Sequence, residues 1–184
     1  MALPNNLDLS VSLERGRSQG YSKAMKSGEL AQSTCGMERA LAIVGDRWAL
    51  TILRDAFLGV RRFEDFQRRS AMARNVLAKR LALLVSHGVL ARTVYQDRPI
   101  RHEYRLTSRG QGLFPVVLSL ASWGQAHLAE DHAPATVFRH RDRNHDMRPI
   151  LACSACGDEL HARSVDVEVQ SDAGGAPAVR ALSG

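Results

Sequence analysis

The stretch that most constrains this chain runs from Phe63 to His87, FEDFQRRSAMARNVLAKRLALLVSH, and reads as two short helices joined by a tight turn at SAMA. In its second half Leu77, Leu81 and Leu84 stand at i, i+4 and i+7, the spacing that puts three apolar side chains on one helix face. That face belongs in a core. At about 100° per residue, the opposite face carries Asn75, Lys79, Ala82 and Ser86, with Arg74 and Ala78 on one flank. Small residues mixed with hydrogen-bonding and cationic ones are what a DNA major groove accepts. Across the same stretch and just before it, Arg61, Arg62, Arg68, Arg69, Arg74, Lys79 and Arg80 outnumber Glu64 and Asp65, an imbalance that suits phosphate contacts.

The segment that follows, GVLARTVYQDRPIRHEYRLT, holds two β-prone runs, Val89 to Tyr95 and His102 to Leu106, separated by a polar loop containing Pro99. Helix, helix and then a hairpin with a basic tip is the order of a winged helix-turn-helix. Upstream, Met37, Ala40, Leu41 and Val44 keep helical spacing up to Gly45. Asp46 can cap a further helix carrying Trp48, Ile52, Leu53, Ala56 and Phe57, which Gly59 ends. The expected fold is mainly α with a small β-hairpin.

Three segments together resemble the HxlR-type winged-helix transcription regulators of bacteria, within the MarR-like superfamily. They are CGMERALAIVGDRWALTILRDAFLGVRRFEDFQ, ARNVLAKRLALLVSHGVLARTVY and HEYRLTSRGQGLFPVVLSLASWG. The resemblance covers Cys35 to Leu128 and includes Cys35, Trp48, the Arg62-Phe63 step and the Tyr104-Leu106-Thr107 junction. It implies a homodimeric, cytoplasmic regulator, a repressor or activator, on a short palindromic double-stranded DNA operator, with dimerisation helices flanking the winged domain. A small molecule or oxidant is the effector class to expect.

Charge agrees with an anionic partner. Lys and Arg number 25 against 19 Asp and Glu, for a formal charge of +6 over 184 residues. No apolar run approaches the roughly 20 residues that a membrane helix needs, and the N-terminus lacks a secretory pattern, so no membrane partner is expected. A cytoplasmic setting keeps the three cysteines mostly reduced.

Organisation follows from texture. Residues 1–34 are polar and weakly periodic, a flexible arm. Residues 35–131 form the DNA-binding and dimerisation domain. Within it, Thr107 should cap a long helix reaching Ala129, with Pro115 kinking it or marking a restart. Leu113, Val116, Val117, Leu120, Trp123 and Leu128 cover more than the single stripe a lone domain needs, which points to a subunit interface. Residues 132–170 are a small β-leaning extension with a CxxC pair, and 171–184 a disordered low-complexity tail.

Arginine and asparagine at the start of a recognition helix can make bidentate contacts to guanine and adenine edges, so Arg74 and Asn75, followed by Lys79, are the candidates for base reading. Alternatively Asn75 caps the helix and Lys79 is a solvated face residue. Arg61, Arg62, Arg68 and Arg69 are placed for phosphates, with Glu64 or Asp65 as competing ion-pair partners. In the wing, Arg98 and Arg101 flank Pro99 and can reach the minor groove or the backbone.

Cys35 precedes a helix start, where unpaired N–H groups favour an anion, and Arg39 follows one turn on. It is a redox-sensing candidate by this reading and by the resemblance, or else a small packed residue. Cys153-Ser154-Ala155-Cys156-Gly157 can supply two thiolates to a structural zinc, to be completed from His140, His145 or His161. The same pair also suits a packed turn or a reversible disulfide. No cofactor is required by this reading. The competing functions are a thiol redox enzyme using CxxC or Cys35, and a zinc-binding interaction module. No Ser-His-Asp, glycine-rich phosphate loop or paired-carboxylate motif has a fitting context for catalysis.

Overall fold

The computed structural model describes residues 27–128, 137–169 and 178–181. The chain divides after Asp46 into two units. The first holds α1 (Ser27–Ala31) and α2 (Gly36–Val44). Helix α2 starts after an extended Cys35 and ends where the Gly45 N–H donates to the Leu41 carbonyl at 2.8 Å. The arm expected up to residue 34 is therefore helical in part, at Ser27–Ala31; residues 1–26 lie outside the described set.

The second unit begins with α3 (Arg47–Phe57), α4 (Phe63–Ser70) and α5 (Arg74–Ser86). They close on one core: Ala49, Ile52 and Leu53 from α3, Phe66 from α4, and Leu77, Leu81 and Leu84 from α5 are fully buried. The i, i+4, i+7 leucines thus lie where their spacing puts them, and fully burying each is worth about 1.5–3 kcal/mol. Phe66 is inward, while Phe63 is half-buried. The first helix of the pair begins at Phe63, with Arg62 in the extended N-cap conformation. Ala71 stops α4 in the left-handed region, with φ 53°, so that α5 can leave at a new angle.

Helix α5 ends in a Schellman motif. Gly88 sits at φ +66°, its N–H bonds the Val85 carbonyl and the Val89 N–H bonds that of Leu84. From there β1 (Leu90–Asp97) and β2 (Ile100–Leu106) form an antiparallel hairpin from Leu90↔Leu106 to Asp97↔Ile100, with a bulge between Val94 and Gln96. The chain before α4 adds to this sheet. Arg62 bridges Glu103, and the Tyr104 N–H donates to the Arg61 carbonyl at 2.8 Å. The wing is therefore pinned to the N-terminus of α4.

Thr107 is a cap, but of a short helix. Its Oγ accepts from the Gly110 N–H at 3.1 Å and donates to the Gly88 carbonyl at 2.6 Å, holding α6 (Ser108–Gln111) against the start of β1. Gly110 is buried there, and a Cβ on it would collide with the Val89 carbonyl oxygen. The single helix expected from Thr107 is broken at Gly112-Leu113, and α7 (Phe114–Leu128) restarts with Pro115 in its first turn. Proline is tolerated there, where its missing N–H has no carbonyl to serve. Ala129 lies outside the described residues.

The extension holds a hairpin of β3 (Arg139–His140) and β4 (His145–Asp146), a turn around the CxxC, a 3₁₀ turn (Ala162–Ser164) and β5 (Asp166–Val169). Strand β6 (Ala178–Ala181) pairs antiparallel with β5, from Asp166↔Ala181 to Val169↔Ala178. This corrects the disordered tail expected over 171–184 at residues 178–181, which give β5 a partner edge. The tail's other residues lie outside the described set. Among the described residues no helix is long and apolar enough to cross a membrane.

Candidate nucleic-acid interface

Burial of Leu77, Leu81 and Leu84 fixes which way the rest of α5 points. Arg74, Asn75, Ala78, Lys79, Ala82 and Ser86 are all exposed, and they form one continuous face. Arg80 is half-buried. The Asn75 side-chain oxygen accepts from the Val76 N–H at 2.8 Å, a donor it shares with the Ala73 carbonyl at 3.0 Å. Its amide N–H₂ keeps both protons for other acceptors.

The arginines separate into distinct settings. The Arg74 guanidinium lies 4.7 Å from the Phe63 ring centroid, which ties the first turn of α5 to the first residue of α4. Arg62 covers the ring of Tyr95, the residue at the wing bulge, also at 4.7 Å. Arg68 pairs with Asp65 at 2.9 Å, one turn back on α4. Arg69 turns the other way, its Nε 3.4 Å from Asp55, a fully buried carboxylate on α3 that Arg54 also holds at 2.9 Å. Arg61, Arg98 and Arg101 are exposed, and with Arg62, Arg74 and Lys79 they form no ion pair among the described residues.

Between α4, the start of α5 and the wing runs a groove of about 680 Å³ in which Arg62, Arg68, Arg74, Arg92 and Arg101 outnumber the carboxylates of Glu64 and Asp65, with Phe63 among its walls. Of the sequence candidates, Arg62, Arg68, Arg74 and Arg101 meet there. Asn75 and Lys79 stand on the outer face of α5, while Arg61, Arg69 and Arg98 do not line the groove. Arg92 was not among the candidates. It projects from β1 across from Tyr104, its Nη2 3.0 Å from His102 Nδ1. The signal lay in the period-two alternation Ile100, His102, Tyr104 on the facing strand, which puts these residues on one side of the hairpin.

The cysteines lie elsewhere. Cys35 is exposed at the N-cap of α2 in the first unit. Cys153 and Cys156 share one turn: the Gly157 N–H donates to the Cys153 carbonyl and the Cys153 N–H to the Asp158 carbonyl, both at 2.8 Å, with Gly157 at φ +82°. Backbone N–H groups of Cys156 and Ala155, and then the Cys156 side chain, hold the Cys153 thiol below its ordinary pKa by favouring the thiolate. A closed zinc site needs four donors. Among the described residues no group of three or more His, Cys, Asp or Glu side chains is placed to hold a metal ion, and His140 and His145 stack on each other at 5.6 Å in their own hairpin.

A helix pair with a basic, outward-facing second helix, a pinned hairpin and an arginine-lined groove between them defines a winged helix-turn-helix transcription regulator. Comparison with known proteins narrows the class. The family model of the HxlR-like helix-turn-helix matches residues 43–132. An uncharacterized HTH-type transcriptional regulator of Mycobacterium tuberculosis is 43% identical over 130 residues, 71% of this chain and 82% of its own length. Bacillus subtilis YdeP, another uncharacterized HTH-type regulator, is 33% identical over 94 residues, 50% of this chain and 73% of its own. The crystal structure of PA1607, a candidate transcription factor, superposes with a TM-score of 0.67 at 34% identity, covering 74% of this chain and 96% of that one. The chain belongs to the HxlR-like helix-turn-helix family of transcription regulators.

Proposed function

We propose that the protein is a homodimeric, sequence-specific repressor that acts in the cytoplasm on a palindromic operator. The observation that carries this reading is the exposed face of α5, held outward by three buried leucines beside a groove lined with arginines. Arg74, Asn75 and Lys79 read base edges in the major groove. Arg61, Arg62 and Arg68 hold phosphates, while Arg69, oriented by Asp55, contributes charge from behind. Arg98 and Arg101 take the wing to the minor groove or its flanking backbone. Residues 35–131 carry both DNA binding and dimerisation, and residues 132–170 are an appended module.

Support for the dimer comes from α7. Phe114, Val116, Leu120, Trp123 and Leu128 are each 47–68% exposed, and no residue of this helix is fully buried in the protomer. An apolar helix left open on this scale asks for a second surface. Cys35, exposed at the start of α2, is the site for an oxidant or electrophile to act on DNA affinity.

A gel shift on the DNA immediately upstream of the protein's own gene and its neighbour, with and without diamide, tests the reading. The expected outcome is one discrete complex that resists excess random duplex and weakens on oxidation. Binding that random duplex competes away equally would overturn sequence-specific regulation. A complex of Cys35→Ser that still weakens with diamide would remove Cys35 as the sensor and leave the DNA reading intact.

A further inference from the structure

Arg92 lines the groove between α4, the start of α5 and the wing, and among the described residues it forms no ion pair. Cross-strand register places it: Arg92 stands opposite Tyr104 and Val94 opposite His102, so Arg92, His102 and Tyr104 share one side of the hairpin. The Tyr104 ring meets the buried Phe66 edge-on, centroids 6.5 Å apart, which fixes that side of the wing against the core. Arg92 Nη2 donates to His102 Nδ1 at 3.0 Å. A guanidinium has no acceptor, so Nδ1 takes this bond through its lone pair, and the other N–H groups of Arg92 remain for a further acceptor. In the same groove Arg62 and Arg74 lie over the rings of Tyr95 and Phe63, each at 4.7 Å. Those contacts engage the guanidinium faces and leave the N–H edges open. Of the two carboxylates there, Asp65 is taken by Arg68 at 2.9 Å, which sets three open guanidiniums against Glu64.

We propose that Arg92, positioned by His102, joins Arg62 and Arg74 in a seat for one phosphodiester of the DNA backbone. The inference rests on the DNA reading above and gives the groove its occupant. With α5 in the major groove and the wing tip at the adjacent minor groove, the backbone strand that separates the two passes between α5 and the wing, where this groove lies. A phosphodiester suits the seat because its single charge is spread over two non-bridging oxygens, which guanidinium forks can meet together. His102 does not touch the phosphate in this arrangement; it holds the Arg92 fork in place.

The test measures binding of the full chain to a random-sequence duplex over a salt series, so that it does not require the operator. Arg92→Ala should weaken binding about tenfold at low salt and lower the slope of log K against log salt by about one. Arg105→Ala removes the same charge from the opposite side of the hairpin, where Arg105 pairs with Glu103 at 2.6 Å, and should keep the slope, with affinity within about twofold. His102→Leu should weaken binding about threefold, and His102→Asn, whose Oδ1 can stand in for Nδ1 as acceptor, should restore it. An unchanged slope in Arg92→Ala, or an equal drop in Arg105→Ala, would overturn the seat while leaving DNA binding in place. Equal losses in the two His102 variants would overturn its positioning role. Failure of the DNA reading itself looks different: the wild-type protein would bind no duplex, and the backbone would fall as occupant with it. Inorganic phosphate that displaces duplex from the wild type at constant ionic strength, but not from Arg92→Ala, would assign the seat to a free phosphate and overturn the backbone as its occupant.

Discussion

Asp55 shows how a single residue constrains the DNA-binding face from behind. It is the one fully buried charged side chain among the described residues, and Arg54 and Arg69 converge on its Oδ1 while Oδ2 has no partner. Both arginines are about half exposed, so water screens the pair and rehydrates them when it is broken, which puts the cost of Asp55→Ala at roughly 1–3 kcal/mol and below that of a fully buried pair. Urea denaturation checks this, and a loss under about 0.5 kcal/mol would mean the carboxylate contributes no net stability. Arg74 and Arg68 differ in the opposite sense, both being exposed. Arg74 sits at the first position of α5, fixed over Phe63, where two parallel N–H groups can meet a guanine. Arg74→Ala should cost about 1–3 kcal/mol on the operator and relax preference at one base position, with little change on random duplex. Arg68→Ala should weaken every sequence alike and lower the salt slope by about one. Binding titrations on both duplexes over a salt series separate the two, and equal losses for both variants would refute the division.

At the level of elements, legibility followed packing. Helix α5 could be placed to the residue because three leucines at one spacing admit one buried face, and Gly88 supplies a stop that no Cβ-bearing residue makes as easily. The wing was legible as two β-prone runs, though its strands run on to Asp97 and from Ile100, since cross-strand pairing extends past the hydrophobic residues that announce it. The helix after Thr107 was misjudged in extent. Thr107 to Gly112 carries no apolar residue, so no period marked a break before Leu113, and Gly110 is required by contact with the Val89 carbonyl, a tertiary constraint that the local pattern does not spell out. Asp55 was invisible for the same reason: one acid within an amphipathic helix looks solvated until Arg69 arrives from another helix. For Thr107 the structure supplies more than a cap, since its hydroxyl also reaches back to Gly88. Thr107→Val keeps the shape and removes both bonds, and should cost about 1–2 kcal/mol in thermal or chemical unfolding. Thr107→Ser, which retains the hydroxyl, should recover most of that, and equal losses for the two would assign the effect to packing.

For the whole molecule, the proposed dimer makes the spacing of two copies of α5 along DNA the decisive quantity. A lone winged domain contacts one half-site, and its affinity is then set mainly by phosphates. Joining two through an apolar interface makes the second half-site contact intramolecular, a gain on the order of 10²–10⁴ when the spacing matches a helical turn. In α7, Val116, Leu120 and Trp123 fall at i, i+4 and i+7 and are each at least half exposed, so charges placed among them meet water in a monomer but burial in a dimer. Leu120→Glu combined with Trp123→Glu should therefore leave the far-ultraviolet spectrum of the protomer unchanged while shifting sedimentation from dimer to monomer. Operator affinity should fall by a hundredfold or more on the same estimate, whereas affinity for a single half-site should stay within about threefold. A variant that remains dimeric would move the interface off α7. A variant that becomes monomeric yet keeps full operator affinity would break the link between symmetry and recognition, because the second α5 would then contribute nothing to reading the site.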